Sequence, residues 1–345
     1  MSLGEFELIG RYFSRHDKGE GVSLGIGDDC ALLAVPDGYE LAITTDTLNE
    51  GIHFFKNSDP YLLGYKTLAV NVSDLAAMGA SPYACTLSLT LNEAQPDFLE
   101  AFSQGFFDCA KASLKHRSLP LIGGNTTKGE LSFTVSAYGL VKKGQAMCRD
   151  GAQVGDGIYV TGTLGLPALA VEIGYGRFSE YKDDFHKLYA HSMKPASRCD
   201  FACRLAAICT CAIDISDGLV GDLRHILLKS KLGAKLELSS IPYPEYFKEH
   251  NLDKDKALNL ALAGGGDYEL LFTLSEDKRK KLAEIVDITQ TPVHKIGEIT
   301  ANKQLIFTEH GNIVPQSFTA FEHFYGGNEY LENTFWIKLL KSYQP

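Results

Sequence analysis

The stretch Asn71-Val72-Ser73-Asp74-Leu75-Ala76-Ala77-Met78-Gly79-Ala80 places one carboxylate inside an apolar run with helical spacing. The helical spacing of apolar residues extends back towards Pro60, which stands near the start of the whole run, and Gly79 stands just past its end. This pattern predicts a helix over residues 60–78. A carboxylate in an apolar helix is costly unless it meets a cation or lies at the rim of the helix. Asp74 is therefore a candidate metal ligand.

Four further acidic segments lie in Gly-rich or Ser/Thr-rich settings at the edges of apolar runs. They are Gly25-Ile26-Gly27-Asp28-Asp29, Thr44-Thr45-Asp46, Asp214-Ile215-Ser216-Asp217-Gly218 and Gly264-Gly265-Gly266-Asp267-Tyr268-Glu269. Small residues let backbone and ligand approach closely, and clustered carboxylates repel one another unless cations hold them together. Together the segments indicate a shared site for several hard metal ions, with Mg²⁺ as the first choice and phosphates bridging them.

Each acidic segment also has a simpler interpretation. Asp28-Asp29 alone fits a solvated turn. Thr44-Thr45-Asp46, predicted at the end of a strand, offers hard oxygen ligands but also fits a helix N-cap. Asp214 and Asp217 lie where a strand ends and a helix begins, so metal binding and N-capping by Ser216 or Asp217 are compatible there.

Other segments indicate contacts with phosphate. Gly123-Gly124-Asn125 is predicted to end a strand with bare backbone for phosphate, although a tight turn explains the two glycines equally well. The planar fork of Arg149 suits a phosphate, and His53 is either a substrate contact or a surface residue. The chain contains no GxxxxGK[ST] loop, His-Arg-Asp catalytic loop or GxGxxG motif after a strand, so metals must neutralise much of the phosphate charge.

Composition bounds the class of protein. With 345 residues, 45% hydrophobic and 22% charged, the chain is expected to form two globular domains. A net charge of -10 argues against a nucleic-acid partner. No apolar run of about 18 residues predicts a membrane helix, and no signal peptide is visible, so the eight cysteines indicate cytoplasmic thiols. Cys199, Cys203, Cys209 and Cys211 favour buried apolar positions over a zinc site.

The order of predicted elements divides the chain in two. Alternating strands over 83–91 and 131–141 accompany two long helices in the first half, and helices alternate with strands in the second. A Gly/Asp-rich junction after Arg149 separates them. We therefore expect an α/β or α+β fold with domains over 1–148 and 149–325, followed by a tail over 326–345.

Taken in this order, the segments from about Glu5 to Phe324 resemble the thiamine-monophosphate kinase family. That family lies within the PurM-like (aminoimidazole-ribonucleotide-synthetase-like) ATP-binding superfamily. The resemblance implies a two-domain PurM-like architecture. Its N-terminal domain would carry a mixed sheet with helices and pair with a second subunit as a homodimer, and its C-terminal domain would be a layered α/β unit. It also implies ATP as co-substrate and several Mg²⁺ ions in a cleft.

The resemblance also implies roles for individual residues. The metal-site residues would be Asp29, Thr44, Thr45, Asp46, Asp74, Asn125, Asp214 and Asp217. The nucleotide contacts would be Gly124, Asn125, Arg149, Ser216 and Ser103. The substrate side would comprise His53, Phe321 and Gly266, and catalysis would rest on Asp46, Asp74 and Arg149.

Two positions depart from the pattern of the family. Asn125 stands where many relatives carry Asp, which removes a charge but keeps an oxygen ligand. Gly266 stands where relatives carry a Glu on the substrate side. The cationic thiazolium ring would then need another carboxylate, such as Asp267 or Glu269.

The reaction that the resemblance implies is ATP plus thiamine monophosphate giving ADP plus thiamine diphosphate. The nucleophile is a phosphate oxygen that is already anionic, so no general base is needed. The alternatives are another PurM-like ATP-using small-molecule enzyme, a non-catalytic nucleotide-binding or metal-binding protein, and a metal-dependent phosphohydrolase.

Overall fold

The computed structural model of the protein describes residues 4–14, 19–114, 119–315 and 318. Phe321 and the predicted tail over 326–345 lie outside these residues. The strands are β1 (Val22–Leu24), β2 (Leu32–Leu33), β3 (Tyr39–Asn49), β4 (Ser81–Leu91), β5 (Leu121–Lys128), β6 (Ser132–Lys142), β7 (Gly157–Thr161), β8 (Cys211–Asp214), β9 (Gly233–Glu237), β10 (Leu270–Leu274), β11 (Val293–Thr300), β12 (Leu305–Glu309) and β13 (Asn312–Val314).

The α-helices alternate with these strands over most of the chain. They are α1 (Glu5–Leu8), α2 (Pro60–Ala77), α3 (Pro96–Ala112), α4 (Leu166–Gly174), α5 (Phe185–Ser192), α6 (Cys199–Leu205), α7 (Leu219–Ser230), α8 (Glu245–Glu249), α9 (Lys254–Ala263) and α10 (Arg279–Thr289). A π-helical turn (Ile9–Phe13) follows α1, and short 3₁₀ helices span Ser179–Asp184, Leu238–Ser240 and Glu276–Lys278.

A four-stranded mixed sheet in the order β3-β6-β4-β5 organises the first half. Helices α2 and α3 pack on one face, where Phe102 of α3 meets Phe133 of β6 at a ring-centroid distance of 4.6 Å. We call the opposite face, which bears Ile43, Thr45 and Thr47, the outer face. Its side chains are exposed on β3, and the Thr45 hydroxyl hydrogen-bonds that of Ser136 at 2.8 Å.

A seven-stranded sheet in the order β13-β12-β9-β11-β7-β10-β8 organises the second half. β12 and β9 pair in parallel and the other neighbours antiparallel, so this sheet is mixed too. Buried strands β7, β8 and β10 pack against α7 and α9 in an apolar core. The predicted α/β class is therefore confirmed.

Helix α2 links the two halves. The predicted helix over 60–78 is confirmed as Pro60–Ala77, with the Asp59 carboxylate accepting hydrogen bonds from the first turn. Along its length α2 contacts α3 and β3 of its own half, and α6 and β8 of the other. Asp74, four residues before Met78, therefore lies where the two halves meet.

Two predicted strand ends were wrong. β3 continues to Asn49, so Thr44-Thr45-Asp46 lies inside a strand that pairs with β6 over its whole length. β5 runs to Lys128, so Gly123-Gly124-Asn125 lies inside a strand that pairs with β4 and forms no turn. In both cases hydrogen bonding to a distant strand overrides the local preference of Gly, Asn and Asp for turns.

Three of the four cysteines between Cys199 and Cys211 take the buried positions expected of small apolar residues. Cys199, Cys209 and Cys211 are buried, whereas Cys203 is exposed. Over the described ranges, no group of three or more His, Cys, Asp or Glu side chains is arranged to hold a metal ion. In the same part of the chain, no helix combines the length and the apolar character of a membrane-spanning segment.

Candidate active site

Two carboxylates meet between β3 and α2. Side chains alternate along a strand, so Thr44 and Asp46 share the face that α2 covers. The Thr44 hydroxyl donates a hydrogen bond to the Asp74 carboxylate. Asp46 and Asp74 interact as a pair, and their mutual repulsion adds to burial in raising the pKa of Asp46 to about 7. The sequence-predicted residues Thr44, Asp46 and Asp74 therefore form one contiguous group.

The turn between β8 and α7 brings two more carboxylates to this group. Asp214 is the last residue of β8 and is buried, and the hydroxyl of Ser73 donates to it at 2.8 Å. Burial, and next the charge of Asp74, raise the pKa of Asp214 well above its ordinary value. Asp217 lies close enough for its charge to act on Asp46. We call Asp46, Asp74, Asp214 and Asp217 the acidic site.

The acidic site suits a hard cation. Its carboxylates are held close together while burial makes their charged forms costly, and a cation relieves both penalties. The described side chains contain no ready three-ligand cage. Mg²⁺ does not require one, because it usually binds through one or two carboxylates, waters and substrate phosphates. The oxygen donors of the acidic site therefore fit Mg²⁺ bound together with phosphate.

Asp222 supports the acidic site, and the sequence patterns did not reveal it. It lies on the first turn of α7, is 3% exposed, and accepts the backbone N–H groups of Ser216 at 3.1 Å and Asp217 at 3.2 Å. Burial, and next the charge of Asp217, raise its pKa to about 7. Asp222 thus holds the turn that carries Asp217. One sequence feature could have identified Asp222: it is an acidic residue five positions after Asp217, in the first turn of a predicted helix.

Arg149 lies at the open side of the acidic site. The residue is exposed, and its positive charge acts on both Asp74 and Asp222. Its backbone carbonyl accepts the hydroxyl of Ser230 on α7 at 3.0 Å, which ties the junction between the two halves to that helix. A guanidinium in this position suits an anionic ligand.

Three of the predicted metal residues lie elsewhere. Thr45 is on the outer face. Asn125 lies on the same face, because it is the register partner of Ser88 on β4, which in turn is the register partner of Thr134 on β6. β5 lies three strands from β3, so Asn125 is about 14 Å from β3. Asp29 is exposed in the loop of the β1–β2 hairpin, which also packs on the outer face. Within one chain the structure does not bring these residues to the acidic site.

Packing within the protein explains the residue type at two predicted nucleotide contacts, Gly124 and Ser103. A Cβ atom on Gly124 would stand 1.9 Å from the carbonyl oxygen of Leu87, so the pairing of β4 with β5 excludes any larger residue. Ser103 is 3% exposed inside α3, where its hydroxyl donates to the Glu100 carbonyl of the same helix at 3.1 Å. Ser216, in contrast, lies in the turn beside Asp214 and Asp217.

The loop over 264–269 lies against that turn. The Gly266 N–H donates to the Ser216 carbonyl at 2.8 Å, with Gly266 at a φ of 86° that favours glycine. Gly266 therefore borders the acidic site. His53 lies beyond the other end of β3, where its Nδ1 accepts the Asn49 N–H at 3.0 Å.

Both carboxylates that follow Gly266 are engaged inside the protein. Asp267 is buried and accepts the Gly165 N–H at 2.9 Å. Glu269 binds the guanidinium of Arg198 through two hydrogen bonds of 2.6 and 2.5 Å and also accepts the Thr161 hydroxyl. The second oxygen of the Asp267 carboxylate, in contrast, is buried with no hydrogen-bond partner among the described residues.

Comparison with known proteins agrees with this architecture. The model of the AIR synthase related protein N-terminal domain matches residues 27–141, and that of the C-terminal domain matches residues 153–309. Thiamine-monophosphate kinase of Escherichia coli (strain K12) is 43% identical over 328 residues, which cover 94% of this chain and 99% of that protein. The Aquifex aeolicus enzyme is 32% identical, over 83% of this chain and 90% of its own.

Solved structures match over a similar length. The crystal structure of thiamine-monophosphate kinase from Stenotrophomonas maltophilia K279a has a TM-score of 0.80 and 41% identity, covering 91% of this chain and 99% of its own. AaThiL complexed with AMPPCP and TMP has a TM-score of 0.70 and 27% identity, covering 94% of this chain and 99% of its own.

Proposed function

The chain belongs to the thiamine-monophosphate kinase family, and we infer that it transfers the γ-phosphoryl group of ATP to thiamine monophosphate. The products are ADP and thiamine diphosphate, which makes the reaction a step of thiamine diphosphate biosynthesis. Identity of 43% across 94% of the chain to a protein with this name carries the inference. The related structure with AMPPCP and TMP bound agrees with it.

The acidic site suits this chemistry. The attacking atom is a phosphate oxygen that is anionic at neutral pH, so no side chain has to remove a proton from it. The barrier is the repulsion between two phosphate groups, and the main task of the protein is to position them in line and balance their charge. The guanidinium of Arg149 would stabilise the charge on the transferring group.

We propose that Asp46, Asp74, Asp214 and Asp217, with the Thr44 hydroxyl, hold several Mg²⁺ ions. When bound, these ions neutralise the phosphates and help to align them. Asp222 keeps Asp217 in place by accepting its backbone N–H group. Ser73 keeps Asp214 in place by donating its hydroxyl hydrogen bond to the Asp214 carboxylate. This assignment rests on the electrostatics of the carboxylates and on the preference of Mg²⁺ for oxygen ligands.

The remaining predicted contacts are also proposals. Nucleotide contacts at Gly124, Asn125, Ser103 and Ser216, substrate contacts at His53, Phe321 and Gly266, and metal contacts at Asp29, Thr45 and Asn125 rest on the sequence patterns and on the resemblance. Of the nucleotide set, Ser216 is favoured by its position beside the acidic site. Ser103 is disfavoured by its burial within α3.

We further propose a homodimer in which a second subunit covers the outer face. Ile43 at the centre of β3 is 63% exposed there, and an apolar side chain on an open sheet face is a common mark of an interface. Domains over 1–148 and 149–325 are proposed with the junction near Arg149. A cytoplasmic location is proposed because all eight cysteines are free thiols.

A product assay tests the function. We expect the purified protein to form thiamine diphosphate and ADP in equal amounts from thiamine monophosphate, ATP and Mg²⁺, and to stop when EDTA is added. ATP binding without product would favour a non-catalytic nucleotide-binding protein. Release of free phosphate without thiamine diphosphate would favour a phosphohydrolase.

A further inference from the structure

A buried lysine supports the ring of Tyr268 beside the acidic site. Lys66, on α2, is 8% exposed, and its Nζ donates to the Ser192 carbonyl at 3.1 Å. The same Nζ lies 4.1 Å from the centroid of the Tyr268 ring, within the range of a cation–π contact. Burial lowers the pKa of Lys66 to about 7, and the nearby charge of Asp267 opposes that shift. The Tyr268 ring thus packs against Lys66 of α2, the helix that also carries Asp74.

The backbone of Tyr268 is also fixed, in an unusual conformation. Its φ of 51° lies in the left-handed region, which is rare for an aromatic residue. The Tyr268 N–H donates to the Ile215 carbonyl at 2.8 Å, and the Ile215 N–H donates to the Glu269 carbonyl at 2.8 Å. Strained residues persist only where the surroundings over-determine them, and they cluster at functional sites. This conformation turns Tyr268 out of the regular extension of β10.

Tyr268 lies beside the acidic site, because its backbone is hydrogen-bonded to that of Ile215, the residue after Asp214. The charges of Asp214, Asp46, Asp74 and Asp217 all act on it, and together with burial they raise its pKa well above the ordinary value. A tyrosine phenol is protonated at neutral pH and can donate a hydrogen bond. Among the residues that the structure describes, no partner accepts this hydrogen bond. The ring also lines a small cavity with Ser73, whose hydroxyl binds Asp214.

We propose that Tyr268 is a further catalytic residue, whose hydroxyl donates a hydrogen bond to a phosphate oxygen of a bound substrate. The inference rests on the proposed function, because it presupposes that phosphates enter the acidic site. A neutral donor complements bound cations here, since it binds a phosphate oxygen without adding a charge near the carboxylates. The phosphate belongs either to thiamine monophosphate or to ATP, and the kinetics of each substrate distinguish the two.

The test compares Tyr268→Phe with the wild-type protein in the thiamine diphosphate assay. The variant keeps the ring and its contact with Lys66 and removes only the hydroxyl. We expect kcat/KM to fall by about 10- to 100-fold, the usual effect of losing one hydrogen bond to a charged group, with an unchanged Tm. A change in KM for one substrate alone identifies whose phosphate is bound, and a change in kcat alone indicates a contact made during transfer.

Two controls separate this role from packing. Tyr65→Phe removes a hydroxyl from another tyrosine that lines the same cavity and should leave kcat/KM unchanged. Tyr268→Leu removes the ring and should be no more active than Tyr268→Phe. Wild-type kinetics for Tyr268→Phe, with loss only in Tyr268→Leu, would overturn the proposal. An inactive wild-type protein would instead contradict the proposed function.

Discussion

The Ser73 hydroxyl donates a hydrogen bond to the Asp214 carboxylate at 2.8 Å and so joins α2 of the first half to β8 of the second. Both residues are buried, at 7% and 4% exposure. The next residue on α2 is Asp74, which receives the hydroxyl of Thr44 from β3. Adjacent residues of one helix thus hold a strand from each sheet, and this places the acidic site at the boundary of the two halves.

Removal of this inter-half hydrogen bond should destabilise the protein. In Ser73→Ala the buried Asp214 loses its donor, and we expect the free energy of unfolding to fall by about 1–3 kcal/mol in urea unfolding. The control is Ser103→Ala, whose buried hydroxyl bonds only to a carbonyl of its own helix, so a smaller loss is expected. Equal losses in both variants would show that the contact with Asp214 contributes no more to the free energy of unfolding than a hydrogen bond within one helix.

Asp46 should be essential for turnover. Asp46→Asn keeps the size of the side chain but removes a charged oxygen ligand, and we expect kcat to fall by ~10²-fold or more. Steady-state kinetics at saturating Mg²⁺ measure this. The free energy of unfolding should not fall, because burial and Asp74 disfavour the charge of Asp46 in the metal-free protein. An unchanged rate would mean that Asp46 serves only the structure of β3.

The metal-free protein should lose stability as pH rises. The pKa of Asp222 is raised to about 7, so the folded state binds more protons than the unfolded state between the ordinary pKa, near 3.9, and about 7. This contribution to stability is complete below about pH 4 and is lost as pH rises through about 7. Urea unfolding in EDTA between about pH 5 and pH 8 measures it.

Two comparisons make the pH prediction specific. Asp222→Asn should make the profile less steep, because the amide oxygen still accepts backbone N–H groups but does not titrate, while the raised pKa values of Asp46 and Asp214 remain. Mg²⁺ should stabilise the wild-type protein more at pH 8 than at pH 5, because ligands must be deprotonated to bind it. A pH profile that is the same for both proteins would contradict the assignment to Asp222.

Glu269 should matter for stability because of its ion pair. Its carboxylate is 12% exposed and Arg198 is 15% exposed, so Glu269→Ala leaves a buried guanidinium unpaired. We expect a loss of about 3–5 kcal/mol in the free energy of unfolding. The control is Glu245→Ala, which breaks the exposed pair with Lys248 and should cost about 1 kcal/mol or less. A stable Glu269→Ala variant with a raised KM for thiamine monophosphate would instead indicate a substrate contact.

The outer face should mediate dimerisation. Ile43→Asp puts a charge on this face at the middle of β3, and we expect the mass in solution to shift from dimer to monomer. Light scattering after size-exclusion chromatography measures the mass. Ile313→Asp is a matched control, because Ile313 is 74% exposed on β13 of the other sheet and its variant should keep the wild-type mass. A dimer that survives Ile43→Asp would place the interface elsewhere.

The sequence by itself determined the local elements and the chemical class of the site. Proline and glycine at its ends predicted α2 almost to the residue, and alternation predicted β4 and β6 within about two residues. Five acidic segments without a phosphate-binding loop indicated a site for metal and phosphate. These properties depend on neighbouring residues and on composition, so they can be predicted without knowledge of distant contacts.

Only the tertiary structure decided which acids meet. Thr44 and Thr45 are adjacent in sequence, but the alternation of β3 places one beside Asp74 and the other on the outer face. The strand order β3-β6-β4-β5 carries Asn125 away from Asp46, while α2 and the β8 turn bring Asp74 and Asp214 together. Strand order and the packing of the two halves depend on contacts between residues far apart in the chain, and no local pattern specifies those contacts.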